Sequence, residues 1–178
     1  MRSTSVAVAS FFALLATAGC GGPGSTTEPA SSGRAESGIV AYVNDGDTLR
    51  LTDGRRVRLL QIDAPELHGD CFGKASLSAL LRVTPKGTRV RLESDPRLDA
   101  RDGYGRLLRY LFVEGRNVNL ELVRKGAASP YFYRKQRGRY ADDLLDAVVR
   151  ARSEKRGYWD ACPRAELNTG VGSITGPS

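Results

Sequence analysis

Three short runs of alternating apolar and polar residues constrain the fold of this chain more than any other feature. They are Ile39 to Val43, Thr48 to Thr52 and Arg55 to Ile62. Such alternation is typical of half-buried β-strands. Asp53-Gly54, between the second and third runs, favours a tight hairpin because both residues accept a positive φ. We predict three consecutive strands, the third continuous through Gln61 and Ile62 until Pro65 ends it.

The rest of the chain predicts two more strands and three helices. The strands are Thr88 to Glu93 and Arg106 to Val113; the helices are Phe72 to Val83, Asn117 to Gly126 and Tyr140 to Lys155. A helix between the third and fourth of five strands, with two helices after the fifth, is the order of an OB-fold. The sequence therefore predicts an α+β fold, a five-stranded OB-fold barrel with three helices.

Polar, turn-forming residues stand at the ends of three predicted strands. These are Asp45 and Asp47 after the first strand, Arg58 on the third with Asp63 and Glu66 following it, and Asp102 to Arg106 before the fifth. If they meet, they supply two arginines, two carboxylates suited to a metal and one spare carboxylate. That set can hydrolyse a phosphodiester.

The residue types indicate which residues of such a site would bind a metal and which would bind a phosphate. Carboxylates without a neighbouring thiol or imidazole suit Ca²⁺ or Mg²⁺ better than a transition metal, so Asp47 and Asp63 are the candidate ligands. Arg58 and Arg106 can each give two parallel hydrogen bonds to a phosphoryl group. The alternatives are that the aspartates only form turns and that the arginines only form surface ion pairs.

These motifs resemble the staphylococcal nuclease (thermonuclease) family, whose pattern is DGDT, then RLxxIDxPE, then DxYGR. The matching residues run from Asp45 to Thr48, from Arg58 to Glu66 and from Asp102 to Arg106. The resemblance keeps its order and spacing from about Gly38 to Trp159. It implies an OB-fold nuclease that uses Ca²⁺ and leaves 3′-phosphate ends.

The resemblance also implies a role for each matched residue. The roles are Ca²⁺ binding by Asp47, Asp63 and the carbonyl of Ala64, phosphate binding by Arg58 and Arg106, general-base catalysis by Glu66, and nucleotide contact by Tyr104 and Tyr131. Tyr133, which lies among basic residues, is a further candidate for base stacking. Gly103 stands where the best-known member has a lysine, so a terminal-phosphate contact is not carried over.

The N-terminal segment predicts export. Residues 1–20 combine Arg2 with an apolar run too short to remain as a membrane anchor. Thr17 to Cys20 resembles a bacterial lipobox, which would place a lipid on Cys20; ordinary cleavage after Ala18 is the alternative. Residues 21–37 are then a disordered tether, residues 38–163 the nuclease domain and residues 164–178 a flexible tail.

Cysteine usage and charge are consistent with this prediction. Without Cys20, an even pair remains, Cys71 and Cys162, which predicts a disulfide in an oxidising compartment; two free thiols are the alternative. The 27 Lys and Arg residues against 20 Asp and Glu give a formal charge of +7. This excess favours polyanionic partners.

We expect an exported, Ca²⁺-dependent nuclease that hydrolyses DNA and RNA, prefers single strands, is a monomer and meets the membrane only through a lipid on Cys20. An OB-fold also supports a second class, a non-catalytic nucleic-acid-binding protein. The third hypothesis is a cell-wall or surface-adhesion module that uses its basic face. Arg58, Glu66 and Arg106 discriminate between them, because a binding protein does not need that set.

Overall fold

The computed structural model describes residues 36–177. The predicted signal segment 1–20, its candidate lipidation site Cys20 and most of the predicted tether 21–37 lie outside the described residues. Residues 36 and 37 of that tether already belong to the first strand. None of the described helices has the length and apolar character needed to cross a membrane.

Five strands close into a mixed β-barrel, which confirms the predicted fold class. They are β1 (Glu36–Val43), β2 (Thr48–Leu51), β3 (Arg56–Leu59), β5 (Arg89–Glu93) and β6 (Leu107–Val113). The order is β3-β2-β1-β5-β6, with antiparallel neighbours throughout. Parallel pairing of β3 with β6, with Val57 opposite Leu107, closes the barrel.

One strand serves both halves of the barrel. The first half of β1 pairs with β5 and its second half with β2, and the register shifts between Val40 and Tyr42. A bulge of this kind bends the strand and increases its twist, as barrel closure requires. The interior is filled by fully buried side chains such as Leu49, Leu59 and Leu111.

The third predicted strand is shorter than expected. It was predicted to continue through Ile62, but β3 ends at Leu59 and Gln61 has a φ of 57°. The chain then forms the two-residue strand β4 (Ile62–Asp63), which pairs with β8 (Ser129–Pro130). The break therefore places Asp63 opposite Ser129, beside the segment that carries Tyr131 and Tyr133.

The three predicted helices are present, with slightly different ends. They are α1 (Gly73–Val83), α2 (Val118–Arg124) and α3 (Ala141–Ser153), followed by a short helix, α4 (Tyr158–Ala161), which was not predicted. Asn117 ends the short strand β7 (Arg116–Asn117), and its side chain accepts a hydrogen bond from the Leu120 N–H at 3.2 Å and so caps α2. A 3-10 turn, Tyr133–Lys135, precedes α3.

The C-terminal segment differs from the predicted flexible tail. Strands β9 (Glu166–Asn168) and β10 (Gly172–Ile174) form an antiparallel hairpin, called the C-terminal hairpin below. The Phe132 N–H donates to the Thr169 carbonyl at 2.7 Å, which holds the turn of the hairpin against the body of the protein. A Gly- and Ser-rich composition predicted no structure here because these contacts involve residues far away in the chain.

Candidate active site

Two aspartates and one arginine form the centre of the candidate site. The Arg58 Nη1 atom lies 3.0 Å from Asp47 Oδ2, and its Nη2 atom lies 2.6 Å from Asp63 Oδ1. Nη1 also donates to the carbonyls of Leu59, at 3.1 Å, and Ile62, at 2.7 Å. The guanidinium therefore joins the loop after β1 to the strand β4. Among residues 36–177 no hydrogen bond uses its Nε–H.

The backbone around Asp47 explains how its carboxylate is held inside the protein. Asp47 Oδ2 accepts a hydrogen bond from the Ala64 N–H at 2.8 Å, and Oδ1 accepts one from the Thr48 hydroxyl at 3.0 Å. Asp45 accepts from the Asp47 N–H at 3.1 Å and so fixes the turn. A Cβ at Gly46 would lie 2.5 Å from the Ala64 Cβ, so only glycine allows this close approach.

The electrostatic state of Asp47 favours a bound cation. Its side chain is 8% exposed, and burial raises the pKa of Asp47 to about 7. Arg58 lowers this pKa, while the negative charges of Asp45 and Asp63 raise it further. Two carboxylates thus share one guanidinium, which leaves the cluster with excess negative charge when both are ionised.

Arg106 is held by the turn that precedes β6. Its Nε–H donates to Asp102 Oδ2 at 2.6 Å, and its backbone N–H donates to Asp102 Oδ1 at 2.9 Å. Burial would raise the pKa of Asp102, but the bonds from Arg106 outweigh it and the pKa lies below its ordinary value. The Arg106 Nη1 atom also lies 3.4 Å from the Thr48 hydroxyl, which links it to the loop that carries Asp47.

Both arginines and all three candidate tyrosines line one cavity of about 570 Å³. Tyr104 is 77% exposed at its rim, and the Arg106 guanidinium carbon lies 5.4 Å from its ring centre. Tyr131 and Tyr133 lie together, with ring centres 6.5 Å apart. Exposed aromatic rings beside fixed cations suit a single strand, whose bases stack while its phosphates are bound.

Glu66 lies on an exposed turn and is not part of the cavity lining. Its backbone N–H donates to Asp70 Oδ2 at 2.9 Å, and within residues 36–177 its carboxylate forms no ion pair. A Cβ at Gly73 would lie 2.0 Å from the Glu66 carbonyl, so the start of α1 packs tightly under this turn. The structure thus fixes the backbone of Glu66, and its role as a general base stays a prediction.

The predicted metal ligands fit a hard cation but make only part of a coordination shell. Asp47 and Asp63 provide oxygen donors, and Ala64 joins the cluster through its N–H. Among the described residues, no group of three or more His, Cys, Asp or Glu side chains is placed to hold a metal. Ca²⁺ accepts six to eight oxygen ligands, so waters and a substrate phosphate would have to complete the shell.

Sequence reasoning missed three residues that hold this site in place. Asp102 and Thr48 bind Arg106, although both lie in motifs whose other members were selected. Both residues lie at strand ends, and this position could have indicated that they belong to the site. Ser173 is the third: its N–H donates to Asp63 Oδ2 at 2.9 Å. No sequence signal points to Ser173, because it is 110 residues from Asp63.

The two remaining cysteines are joined in the structure. A disulfide links Cys71, just before α1, to Cys162, just after α4. It connects the segment that follows Glu66 to the start of the segment that forms the C-terminal hairpin.

The chain is similar in sequence to known nucleases. The family model for staphylococcal nuclease homologues matches residues 56–161. Thermonuclease of Staphylococcus intermedius is 31% identical over 147 residues, which are 78% of this chain and 85% of that protein. Endonuclease YhcR of Bacillus subtilis is 33% identical over 148 residues, 74% of this chain but only 12% of that protein.

An uncharacterized endonuclease of Haemophilus influenzae is 35% identical over 127 residues, covering 67% of this chain and 64% of that protein. The chain thus spans only a small part of endonuclease YhcR and slightly less than two thirds of the Haemophilus influenzae protein. The closed barrel with its associated helices defines the class of this protein as an OB-fold. The chain belongs to the staphylococcal nuclease family.

Proposed function

We propose that this protein is an exported, Ca²⁺-dependent nuclease that hydrolyses phosphodiester bonds of DNA and RNA and leaves 3′-phosphate ends. One observation carries the proposal: Arg58 and Arg106 line the same cavity, and Arg58 also binds the two aspartates suited to a metal. Relatives named as endonucleases and a thermonuclease support the reaction class. The 3′-phosphate ends and the metal come from the family resemblance.

Each of these residues has its own role in the proposed reaction. Asp47 and Asp63 would hold Ca²⁺, which supplies positive charge to the phosphate when it is bound. Arg58, through its Nε–H, and Arg106 stabilise the negative charge that grows on the phosphoryl oxygens. Glu66 accepts the proton of the attacking water, and such a base contributes about 10²–10⁴-fold to the rate.

The shape and charge of the cavity favour unpaired strands. Tyr104 and Tyr133 are exposed at its rim, and Arg134 lies over the Tyr133 ring at 5.1 Å. Bases can stack on these rings only when they are unstacked from a duplex. We therefore propose that single-stranded DNA and RNA are cut faster than duplexes, by a monomer.

Export and a lipid on Cys20 belong to the same proposal and rest on the sequence of residues 1–20. A lipid on Cys20 would place the enzyme on the outer face of the cell membrane. Ordinary cleavage after Ala18 would instead release it into the medium. Mass spectrometry of the mature N-terminus separates the two outcomes, because only the first leaves a lipid-modified Cys20.

The test of the activity uses labelled single- and double-stranded DNA and RNA, with Ca²⁺, Mg²⁺ or chelator. We expect Ca²⁺-dependent cleavage, products with phosphatase-sensitive 3′ ends and no cleavage in excess EDTA and EGTA. Glu66→Gln should lower turnover by about 10²-fold or more with single-strand affinity nearly unchanged. Glu114→Gln, at an exposed turn glutamate outside the cavity lining, is the matched control.

Two arginine variants complete the test. Arg58→Lys keeps the charge but loses the planar fork and should lower the rate, whereas Arg89→Lys, on the exposed start of β5, should not. Arg106→Ala should weaken both rate and binding, because its charge meets the phosphate before reaction. Single-strand binding without turnover in the wild type would favour the alternative, a non-catalytic OB-fold binding protein.

A further inference from the structure

The C-terminal hairpin reaches the candidate metal ligand Asp63 directly. The Ser173 N–H donates to Asp63 Oδ2 at 2.9 Å, and the Ser173 hydroxyl donates to the Asp63 carbonyl. The region shared with the family model ends at residue 161, so these contacts come from a segment beyond the matched part. They are thus contacts that the matched range does not include.

The two oxygens of Asp63 are held from two different parts of the chain. Oδ1 accepts from Arg58 at 2.6 Å, and Oδ2 accepts from the hairpin. A carboxylate with both oxygens engaged cannot rotate freely about its Cβ–Cγ bond. The barrel and the hairpin together therefore set the plane in which Asp63 presents its oxygens.

Gly172 allows the hairpin to approach this closely. Its φ is +104°, and a Cβ built on it would lie 2.5 Å from Asp63 Oδ2 and 2.8 Å from the Asp63 Cγ. Any other residue must displace the carboxylate or move the strand. By contrast, a Cβ at Gly170, in the turn of the same hairpin, has its nearest neighbour at 3.5 Å, the Asn168 Oδ1 atom.

The hairpin is itself anchored, which lets it act as a support. The hydroxyls of Ser129 and Ser173 are 3.2 Å apart, so the Ser173 side chain is held on both sides. Beyond the hairpin, the Cys71 N–H donates to the Gly176 carbonyl at 2.8 Å, and Cys71 is bonded to Cys162, which precedes the hairpin. One disulfide thus lies beside both ends of the segment.

We propose that Gly172 and Ser173 are positioning residues for the metal site, which orient the Asp63 carboxylate for Ca²⁺. This inference rests on the proposed function, because it assigns Asp63 to the metal. Partners that hold a metal ligand typically change metal affinity by about 10–100-fold when they are removed. The hairpin therefore sets how much Ca²⁺ the enzyme needs, while the reacting groups remain on the barrel.

The experiment compares the full-length wild type with Gly172→Ala and the matched control Gly170→Ala. Calorimetric titration with Ca²⁺ alone measures affinity, and cleavage of single-stranded DNA over a range of Ca²⁺ concentrations measures the half-saturating level. We expect Gly172→Ala to raise both the Kd for Ca²⁺ and the half-saturating Ca²⁺ concentration by about 10-fold or more, with kcat largely restored at saturating Ca²⁺. Gly170→Ala should match the wild type in both measurements.

A second pair of variants covers the case in which Gly172→Ala does not fold. Ser173→Ala keeps the N–H but loses the hydroxyl and should weaken Ca²⁺ binding several-fold, whereas Ser173→Thr keeps the hydroxyl and should restore it. Circular dichroism in chelator establishes that each variant is folded at the assay temperature. Recovery in Ser173→Thr separates positioning through the hydroxyl from a general loss of packing.

The outcomes separate this inference from the proposed function. If the wild type cuts with Ca²⁺ but the folded Gly172 and Ser173 variants have unchanged Ca²⁺ affinity, the hairpin does not position Asp63. If the wild type neither binds Ca²⁺ nor cuts, the proposed function is wrong and the inference fails with it. A shift in Ca²⁺ affinity confined to Gly172→Ala and Ser173→Ala supports it.

Discussion

Arg58 stands between two carboxylates and still lines the cavity where a phosphate would bind. Its side chain is 13% exposed, and that of Asp47 is 8% exposed, so both charges are largely removed from water. Burial of an ion pair is costly unless further hydrogen bonds satisfy the charged atoms. Here the Leu59 and Ile62 carbonyls and the Ala64 N–H supply those bonds. The same arginine therefore organises both aspartates and also lines the cavity.

The raised pKa of Asp47 predicts a pH-dependent need for metal. A pKa of about 7 means that the carboxyl is protonated below pH 7, and Ca²⁺ must displace that proton. We expect the Ca²⁺ affinity to fall by about tenfold for each pH unit below this value. Calorimetric titrations at several pH values between 5 and 8.5 measure it. Ca²⁺ affinity that does not change over this range would contradict the prediction.

Metal-free stability provides the control for this prediction, with the sign fixed by linkage. A pKa raised on folding contributes stability that is present below the ordinary value of 3.8 and is lost as pH rises through about 7. Relative to Asp47→Asn, the metal-free wild type should therefore become less stable as the pH rises from 4 to 8. Asp142→Asn, at an exposed position on α3, should show no such trend.

At the scale of elements, the break after β3 connects the proposed metal ligand Asp63 to the tyrosines proposed to contact nucleotides. Gln61 takes a φ of 57°, and its buried side chain accepts from the Tyr110 hydroxyl at 3.0 Å and from the Gly138 N–H at 2.8 Å. Its amide donates to the Gln136 carbonyl at 2.8 Å. The Gln61 carbonyl accepts from the Tyr131 N–H at 2.9 Å. Gln61 thus connects the end of β3 to the segment that carries Tyr131 and Tyr133.

Removal of the Gln61 side chain should destabilise the fold and loosen that segment. Gln61→Ala removes the bonds that the Gln61 side chain accepts from the Tyr110 hydroxyl and the Gly138 N–H, at about 1–3 kcal/mol for each buried group. We expect a loss of about 2–4 kcal/mol in the free energy of unfolding, measured by urea denaturation, and weaker single-strand binding. Gln136→Ala is the matched control for stability, because Gln136 contributes only its backbone carbonyl to this network. Equal stability of both variants would show that this network is not important.

The same elements show what the sequence could predict. Alternation and Asp53-Gly54 located the hairpin of the second and third strands, and the Asn117 cap located the start of α2, because these signals are local. The turn at Gln61 has no glycine or proline and depends on partners 49 to 77 residues away. The C-terminal hairpin depends on Asp63 and Phe132 in the same way. Long-range contacts of this kind leave no periodic signal in a single sequence.

For the whole molecule, the barrel and the C-terminal part each contribute to one site. Asp47, Arg58 and Arg106 come from the barrel or its loops, while the contacts to Asp63 Oδ2 come from residue 173. The disulfide between Cys71 and Cys162 joins positions 91 residues apart in the chain. It therefore closes most of the described domain into a loop and restrains the segment that supports Asp63.

Loss of this disulfide should lower stability and raise the Ca²⁺ requirement together. In the chain-entropy model, a loop of this size stabilises the folded state by about 4–5 kcal/mol at most. We expect the Cys71→Ser, Cys162→Ser double variant to unfold at lower urea than the wild type and to need more Ca²⁺ for half-maximal cleavage. Reductant should shift the wild type towards the double variant and leave the double variant unchanged. Alkylation of the exported protein without reductant should leave both cysteines unmodified, and modification of both would show that the bond is not formed in the cell.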